Sequence, residues 1–315
     1  MPQRTLTIVI CTFNRAAILK ECIESLMPQL SEEFSDRVEI LIVDNNSDDD
    51  TKETVRQFKT SKIAYVFEPT QGLSYARNTG YKNANSEWVA YLDDDALAAH
   101  DWLARIFWLI ENTDFEAFGG AFDPWYRDGK VSWYLDEYAT NRTWLKYEKI
   151  SHLKQQNFCG GNAVYSKKSL TSVDGFPIDL GMSAGKVAYG EETEVQQKLR
   201  AKNYKLGYDP ELIIHHYVAP YKQRLSWFFV RAHAAGKVYW RANHLKPTPS
   251  LLLSLLLSML TGLVRDIRFC FSEVRQGRYK LKNCIICIGE RLLLKACKFF
   301  YGASALFLTK GHKSG

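Results

Sequence analysis

The sequence predicts an α/β protein: a Rossmann-like, mostly parallel sheet flanked by helices, followed by a helical extension of different character. Four β-type runs alternate with helical-period segments within the first ~95 residues, which is how parallel sheets are written. The first of those runs is apolar on both faces, as a strand covered on both sides must be. Residues 222–315 then carry 17 Lys or Arg against three acids (Asp266, Glu273 and Glu290), whereas the first 221 residues hold 24 basic and 32 acidic ones. An acidic front and a basic, leucine-rich tail imply two different jobs. The expected division is therefore 1–221 and 222–315. A hydrophobic share of 46% with 13% aromatics supplies a core and excludes a disordered binder.

Taken in order, Thr5–Ile10 is a β-branched run, and Cys11-Thr12-Phe13-Asn14-Arg15 turns out of it. Residues 16–30 repeat apolar side chains at helical spacing (Ile18, Leu19, Cys22, Ile23, Leu26). Val38–Val43 is a second strand that stops at Asp44-Asn45-Asn46-Ser47, where Ser47 or a neighbouring Asp is expected to cap a helix over 51–59. A short strand, Ile63–Phe67, and a helix opened by Gly72 lead to Trp88–Leu92. Residues 103–111 read as helix and 118–122 as strand. Residues 123–147 read as a loop rich in Trp and Tyr, fit either for stacking on a sugar or for packing as a hydrophobic insert. Residues 191–202 form a helix whose first-turn acids suit the helix dipole, and Leu212–His216 ends another strand.

The chemistry collects where strands stop. Trp88–Leu92 ends in Asp93-Asp94-Asp95. Three adjacent acids repel one another, and a hard divalent cation opposite them is the simplest counterion; the bland alternative is a solvated acidic turn. In open α/β sheets ligands collect at the carboxyl ends of the strands. Asp44 at such an end suits a ribose hydroxyl or a base imide, and an N-cap role is compatible with that. Arg77, on the Gly72–Gly80 segment, suits a diphosphate because guanidinium binds phosphate in a bidentate manner. Glu191 and Glu192 are the candidates for a general base, with dipole partnership as the alternative. His215 and His216 offer a third metal ligand, and on an alternating strand His216 shares the face of Leu212 and Ile214.

As an ordered set, Ile8–Arg15, Val43–Asp48, Gly72–Gly80, Leu92–Asp95, Gly160-Gly161-Asn162 and Gly190-Glu191-Glu192 resemble the family 2 glycosyltransferases of the GT-A fold, typical of bacterial polysaccharide and glycolipid assembly. The likeness covers about residues 5–220 and implies an inverting, metal-dependent sugar transferase. It implies a nucleotide-diphospho-sugar donor, with UDP-sugars first in line, and a saccharide or lipid-linked acceptor. By resemblance Thr12 and Asp44 would contact the base and ribose with Asn14 or Arg15 near them, Asp94 would approach the ribose or the sugar, and Arg77, Asp93 and Asn162 would belong to the nucleotide-sugar site. Asp95, Asp93 and His216 would hold Mn²⁺ or Mg²⁺. The family usually reads Glu-Asp where this chain has Glu191-Glu192, which puts Glu192 at the base position and leaves Glu191 as its competitor.

Seven cysteines in mostly apolar surroundings suit reduced thiols, and Cys284-x-x-Cys287 reads as helix packing. The N-terminus passes directly into a strand, so no secretory leader is expected. The leucine-rich run 250–264 falls short of the roughly 20 residues that span a bilayer, and the apolar segment 285–308 is interrupted by Glu290, Arg291, Lys295 and Lys298. A peripheral or monotopic place on the cytoplasmic face of the membrane is expected, the alternative being a soluble helical hairpin. No nucleic-acid partner is expected. Two other classes fit less well. A nucleotidyltransferase needs a glycine-rich basic N-terminal loop, and residues 11–15 contain no glycine; a non-catalytic scaffold has no need of acids at 93, 95 and 192.

Overall fold

The computed structural model describes residues 5–30, 34, 36–183, 189–243 and 245–311. They form two compact units: described residues within 5–125, 136–183 and 191–218 in one, and within 126–135, 189–190 and 219–311 in the other.

The first unit is a mixed sheet with helices on it. Its strands are β1 (Leu6–Thr12), β2 (Val38–Asp44), β3 (Ile63–Phe67), β4 (Trp88–Leu92), β5 (Ala96–Ala98), β6 (Ala117–Trp125), β7 (Ser151–His152), β8 (Asn162–Ser166) and β9 (Leu206–Tyr217). They run in the order β3-β2-β1-β4-β8-β6-β9-β5, with β7 also on β9. The first four are mutually parallel. From β4 onward antiparallel pairs enter, at β4–β8, β6–β8 and β5–β9. Strand alternation divides the core in two: Leu6, Ile8 and Ile10 with Trp88, Ala90 and Leu92 face one layer, and Val9, Val89 and Tyr91 face the other. Because β1, β2 and β4 are parallel and in register, Thr12, Asp44 and the end of β4 emerge on one edge.

Two sequence readings change. The first α-helix, Ala16–Leu26, gives way to a 3-10 turn over Met27–Gln29 instead of reaching 30. Pro28 has no N–H to donate, and its ring would strike the preceding turn. The stretch 123–147 is not one open loop: β6 runs to Trp125, residues 126–135 join the second unit, and Tyr134 is buried. Of its seven Trp and Tyr rings only Trp144 is exposed.

The second unit is helical: Leu225–Ala242, Pro249–Arg275 and Leu281–Gly311. Arg231 pairs with Glu290 (2.6 Å), Arg291 with Asp266 (2.6 Å), and the Trp240 indole donates to the Lys298 carbonyl (2.7 Å). Phe228 meets Trp133 and Tyr134 from the 126–135 segment. The charges at 290 and 291 that interrupt the apolar sequence are thus paired within this unit, the Lys298 ammonium lies over the Tyr239 ring (3.8 Å), and the last helix runs on unbroken.

Candidate active site

The edge shared by β1, β2 and β4 carries two linked clusters. In the first, Asp44 is buried and accepts hydrogen bonds from Tyr65 Oη (2.6 Å) and the Ser47 amide (2.9 Å). Burial, then the Asp44 carboxylate, push the Tyr65 phenol up, so it stays a donor. Asn14 sits at φ 52°, a left-handed conformation Asn tolerates. Its amide donates to Ser47 Oγ (3.0 Å) and its Oδ1 accepts from the Asp48 amide (2.9 Å), tying the β1 and β2 loops together. Ser47 therefore braces this rim; the helix start is held by Asp49, whose Oδ1 accepts from the Thr51 amide (3.1 Å).

The second cluster is the acidic one. Asp94 is buried between Thr12 Oγ1 (2.8 Å) and Arg15 (2.8 Å). Burial pushes its carboxyl up to about 6 against the pull of Arg15, and the Asp95 charge adds to the rise. Arg15 also reaches Asp95 at 3.2 Å. β5 pairs antiparallel with the end of β9, setting Ala96 opposite His216, and the Tyr217 amide donates to the Asp95 carbonyl (2.8 Å). His216 Nε2 thereby lies 3.2 Å from Asp95 and 3.9 Å from Asp93. One ligand atom each from Asp93, Asp95 and His216 lie within 4.8 Å of one another. His215 points the other way and is exposed.

These residues fit a divalent cation. The donors are hard oxygens and an imidazole, and three carboxylates crowd together beside Arg15 (2.8 Å from Asp94, 3.2 Å from Asp95), with Arg77 3.6 Å from Asp93. Space is kept as well: a Cβ at Gly161 would overlap the Asp93 carboxylate. Gly161→Ala is therefore expected to swing Asp93 aside and weaken Mn²⁺ binding at least ~10-fold, measured by the loss of the free-ion electron paramagnetic resonance signal; unchanged binding would remove Asp93 from the ligand set.

Arg77 is not at the surface, as an isolated arginine would be. It is 4% exposed, pairs with Glu191 (2.8 Å), and lies where a Cβ at Gly160 would fall 2.8 Å from its guanidinium. Asn162 likewise faces no open space: it is fully buried, accepts from the Trp102 indole (2.9 Å), and donates to the carbonyls of Ala121 (2.9 Å) and Leu212 (2.8 Å). It locks three strands beneath the site, and its amide is spent on that. Glu191 and Glu192 open their helix with the Oε2 atom of each buried and without a hydrogen-bond partner among the described residues.

Burial, then the Glu192 charge, raise Glu191 to about 8 against Arg77. A carboxyl raised from 4.5 in this way stabilises the fold at low pH, and that contribution is lost as pH rises from 4.5 through about 8. Glu191→Gln should flatten the stability–pH curve over that window in urea titrations; an unaltered slope would show that another group titrates.

Sequence reasoning missed Tyr65, Phe122 and the isolation of Trp144. Phe122 lies against His216 (5.8 Å between rings) and Trp144 against Phe122 (5.9 Å), so one aromatic wall leads away from the acid–imidazole cluster. Alternation along β3 was the signal available for Tyr65; the aromatic stretch included Trp144 without singling it out, and nothing in sequence signalled Phe122.

A Rossmann-like sheet whose rim joins a ribose-suited carboxylate to an Asp-Asp-His cluster is the build of a GT-A glycosyltransferase. Residues 7–173, more than half of the chain, match the family described as Glycosyl transferase family 2, and the chain belongs to that family. It is 26% identical over 255 residues to the succinoglycan biosynthesis protein ExoM of Rhizobium meliloti, covering 76% of each. It is 22% identical over 241 residues to a glucosyl-dolichyl phosphate glucuronosyltransferase of Haloferax volcanii, covering 73% of this chain and 74% of that one. The fold matches the mannosyltransferase PcManGT from Pyrobaculum calidifontis, solved with GDP-Man and Mn²⁺, at a TM-score of 0.60 and 19% identity over 95% of this chain and 88% of that one. It also matches GalNAc-T7, solved with UDP, GalNAc and Mn²⁺, at 0.54 and 15% over 74% of this chain and 51% of that one. The chain is a glycosyltransferase of glycan biosynthesis, which sets the nucleotidyltransferase and scaffold readings aside.

Proposed function

We propose that the chain is an inverting, metal-dependent transferase that moves a sugar from a nucleotide-diphospho-sugar to a saccharide or lipid-linked acceptor. Residues 1–221 are its catalytic part, and 222–315 hold it on the cytoplasmic face of a membrane. The supporting observation is the run of contacts Glu191–Arg77–Asp93–His216, which links buried Glu191, next to half-buried Glu192, to the Asp93–Asp95–His216 cluster. Asp44 and Thr12 suit ribose and base, Asp93, Asp95 and His216 would hold the cation, and Asp94 keeps Thr12 and Arg15 in place. A divalent cation in such a cluster neutralises charge that develops on a diphosphate leaving group. Glu192 takes the acceptor hydroxyl proton as that oxygen attacks the anomeric carbon and the bond to the diphosphate breaks, which inverts the centre. Glu191, bonded to Arg77, anchors the pair.

UDP-sugars are the first donors to try, with GDP-sugars beside them. Thermal shift and donor hydrolysis with and without Mn²⁺ test the reading, since a ligand that binds only the folded state raises its melting point. Stabilisation by one nucleotide family that needs the cation is expected; folded protein indifferent to every donor would overturn it. Trp144, 56% exposed, is free to stack on an acceptor sugar. Trp144→Ala should raise the acceptor KM by about fivefold, equivalent to ~1 kcal/mol of ring contact, and leave donor hydrolysis unchanged. Equal losses in both assays would place the ring elsewhere.

A further inference from the structure

The helix Pro249–Arg275 turns three different faces outward and inward. At about 100° per residue, Leu252, Gly262, Asp266, Cys270 and Glu273 form the buried seam, and all five are buried. Both of the helix's acids are on it, Asp266 bonded to Arg291 (2.6 Å) and more loosely to Arg265 (3.4 Å), and Glu273 to Arg278 (2.5 Å). Next around the helix come Leu253, Leu257, Leu260, Val264, Ile267 and Phe271. They form one stripe along its length, each at least half exposed, with Leu260 at 63% and Phe271 at 73%. Beyond that stripe lie Ser254, Thr261, Arg265, Arg268 and Ser272, also exposed. The exposed surface of this helix thus has an apolar side, a hydroxyl and arginine side, and no carboxylate.

By length and composition this helix is able to cross a membrane. Its pattern suits another placement. The charge-free part, residues 249–264, rises only about 24 Å at 1.5 Å per residue, against a hydrocarbon core of about 30 Å. A spanning helix also has no use for a continuous polar stripe beside its apolar one, whereas a helix lying in the interface needs both.

We propose that this helix lies in the plane of an anionic bilayer surface, with the Leu253–Phe271 stripe in the acyl boundary and Arg265, Arg268 and Arg275 at the phosphates. Charge complementarity names the occupant: an outward face with arginines and no acid suits anionic headgroups. The inference rests on the membrane reading above and adds the contact face, the orientation and the lipid class.

The test is flotation of the full chain with vesicles of phosphatidylcholine alone and with added phosphatidylglycerol, at low and high salt, plus carbonate extraction of cell membranes. Binding to the anionic vesicles is expected, weakened by salt and released by carbonate. Leu260→Asp, at an exposed position that leaves the fold intact, should lower affinity at least ~10-fold. Arg265→Ala and Arg268→Ala should each lower it about fivefold on anionic vesicles, equivalent to ~1 kcal/mol per arginine. Equal flotation with both lipids, resistance to carbonate and indifference to Leu260→Asp would establish a spanning helix; the membrane reading would stand and the in-plane one would fall. Folded chain that floats with neither vesicle would overturn both. A dimer abolished by Leu260→Asp, with no vesicle binding, would assign the stripe to a second copy of the chain.

Discussion

Glu192→Gln is expected to lower sugar-transfer turnover by 10²- to 10⁴-fold, on the order of what a positioned general base contributes, with donor affinity nearly unchanged. The amide fills the same space and keeps the helix start, but it cannot accept the acceptor hydroxyl's proton. Glu191→Gln serves as the contrast. Glu191 is tied to Arg77 at 2.8 Å, so its loss falls on the placement of the pair. A smaller fall in turnover, with the pH-dependence of stability altered, is the expected result. Arg77→Met isolates that tie from the other side: without its partner Glu191 should stay protonated to higher pH, so the urea midpoint should fall mainly above about pH 8, where the carboxyl would otherwise ionise beside Arg77, and the double variant Arg77→Met with Glu191→Gln should recover part of it. Turnover lost in Glu191→Gln and retained in Glu192→Gln would exchange the two roles.

Asp95→Ala is expected to abolish metal-dependent donor binding and with it detectable transfer, since stabilisation of transferring charge by a bound cation is worth several kcal/mol. The carboxylate is buried and lies 3.2 Å from both His216 and Arg15, so its loss leaves the cluster with one carboxylate ligand, Asp93. Isothermal titration with Mn²⁺ reads this directly, without an acceptor. The fold should persist, because Asp94, bonded to Thr12 and Arg15, holds the β1–β4 junction independently. Full Mn²⁺ affinity in Asp95→Ala would place the cation elsewhere.

Much of the first unit is legible in the sequence. Strands over 38–43, 63–67 and 88–92 could be read because buried parallel strands are short apolar runs bounded by polar turns, and the carboxylates that end them mark the functional edge. The two-residue period of a strand set His216 and His215 on opposite faces, and the preference for His216 as a ligand came from the family resemblance. The aromatic segment could not be read, because a Trp that stacks on a ligand and one that packs in a core are the same letter. Only burial distinguishes Tyr134 from Trp144. The same holds for Arg77 and Asn162, which motif position suggests as ligand contacts. In the structure Arg77 is a buried ion-pair partner and Asn162 a saturated strand clamp.

The sequence by itself determined the alternation of strand and helix, the acidic edge, the resemblance that names the chemistry, and the basic, leucine-rich character of the tail. These are local properties, written in neighbouring residues by period, propensity and charge. Tertiary structure alone decided which distant groups meet: the β5–β9 pairing that carries His216 to Asp95, and the glycines that give Arg77 and Asp93 their room. Likewise, the seam that hides Asp266 and Glu273, and so leaves the outward face of their helix without an acid, is a tertiary decision. Such meetings depend on strand order and register, which no short window of sequence encodes.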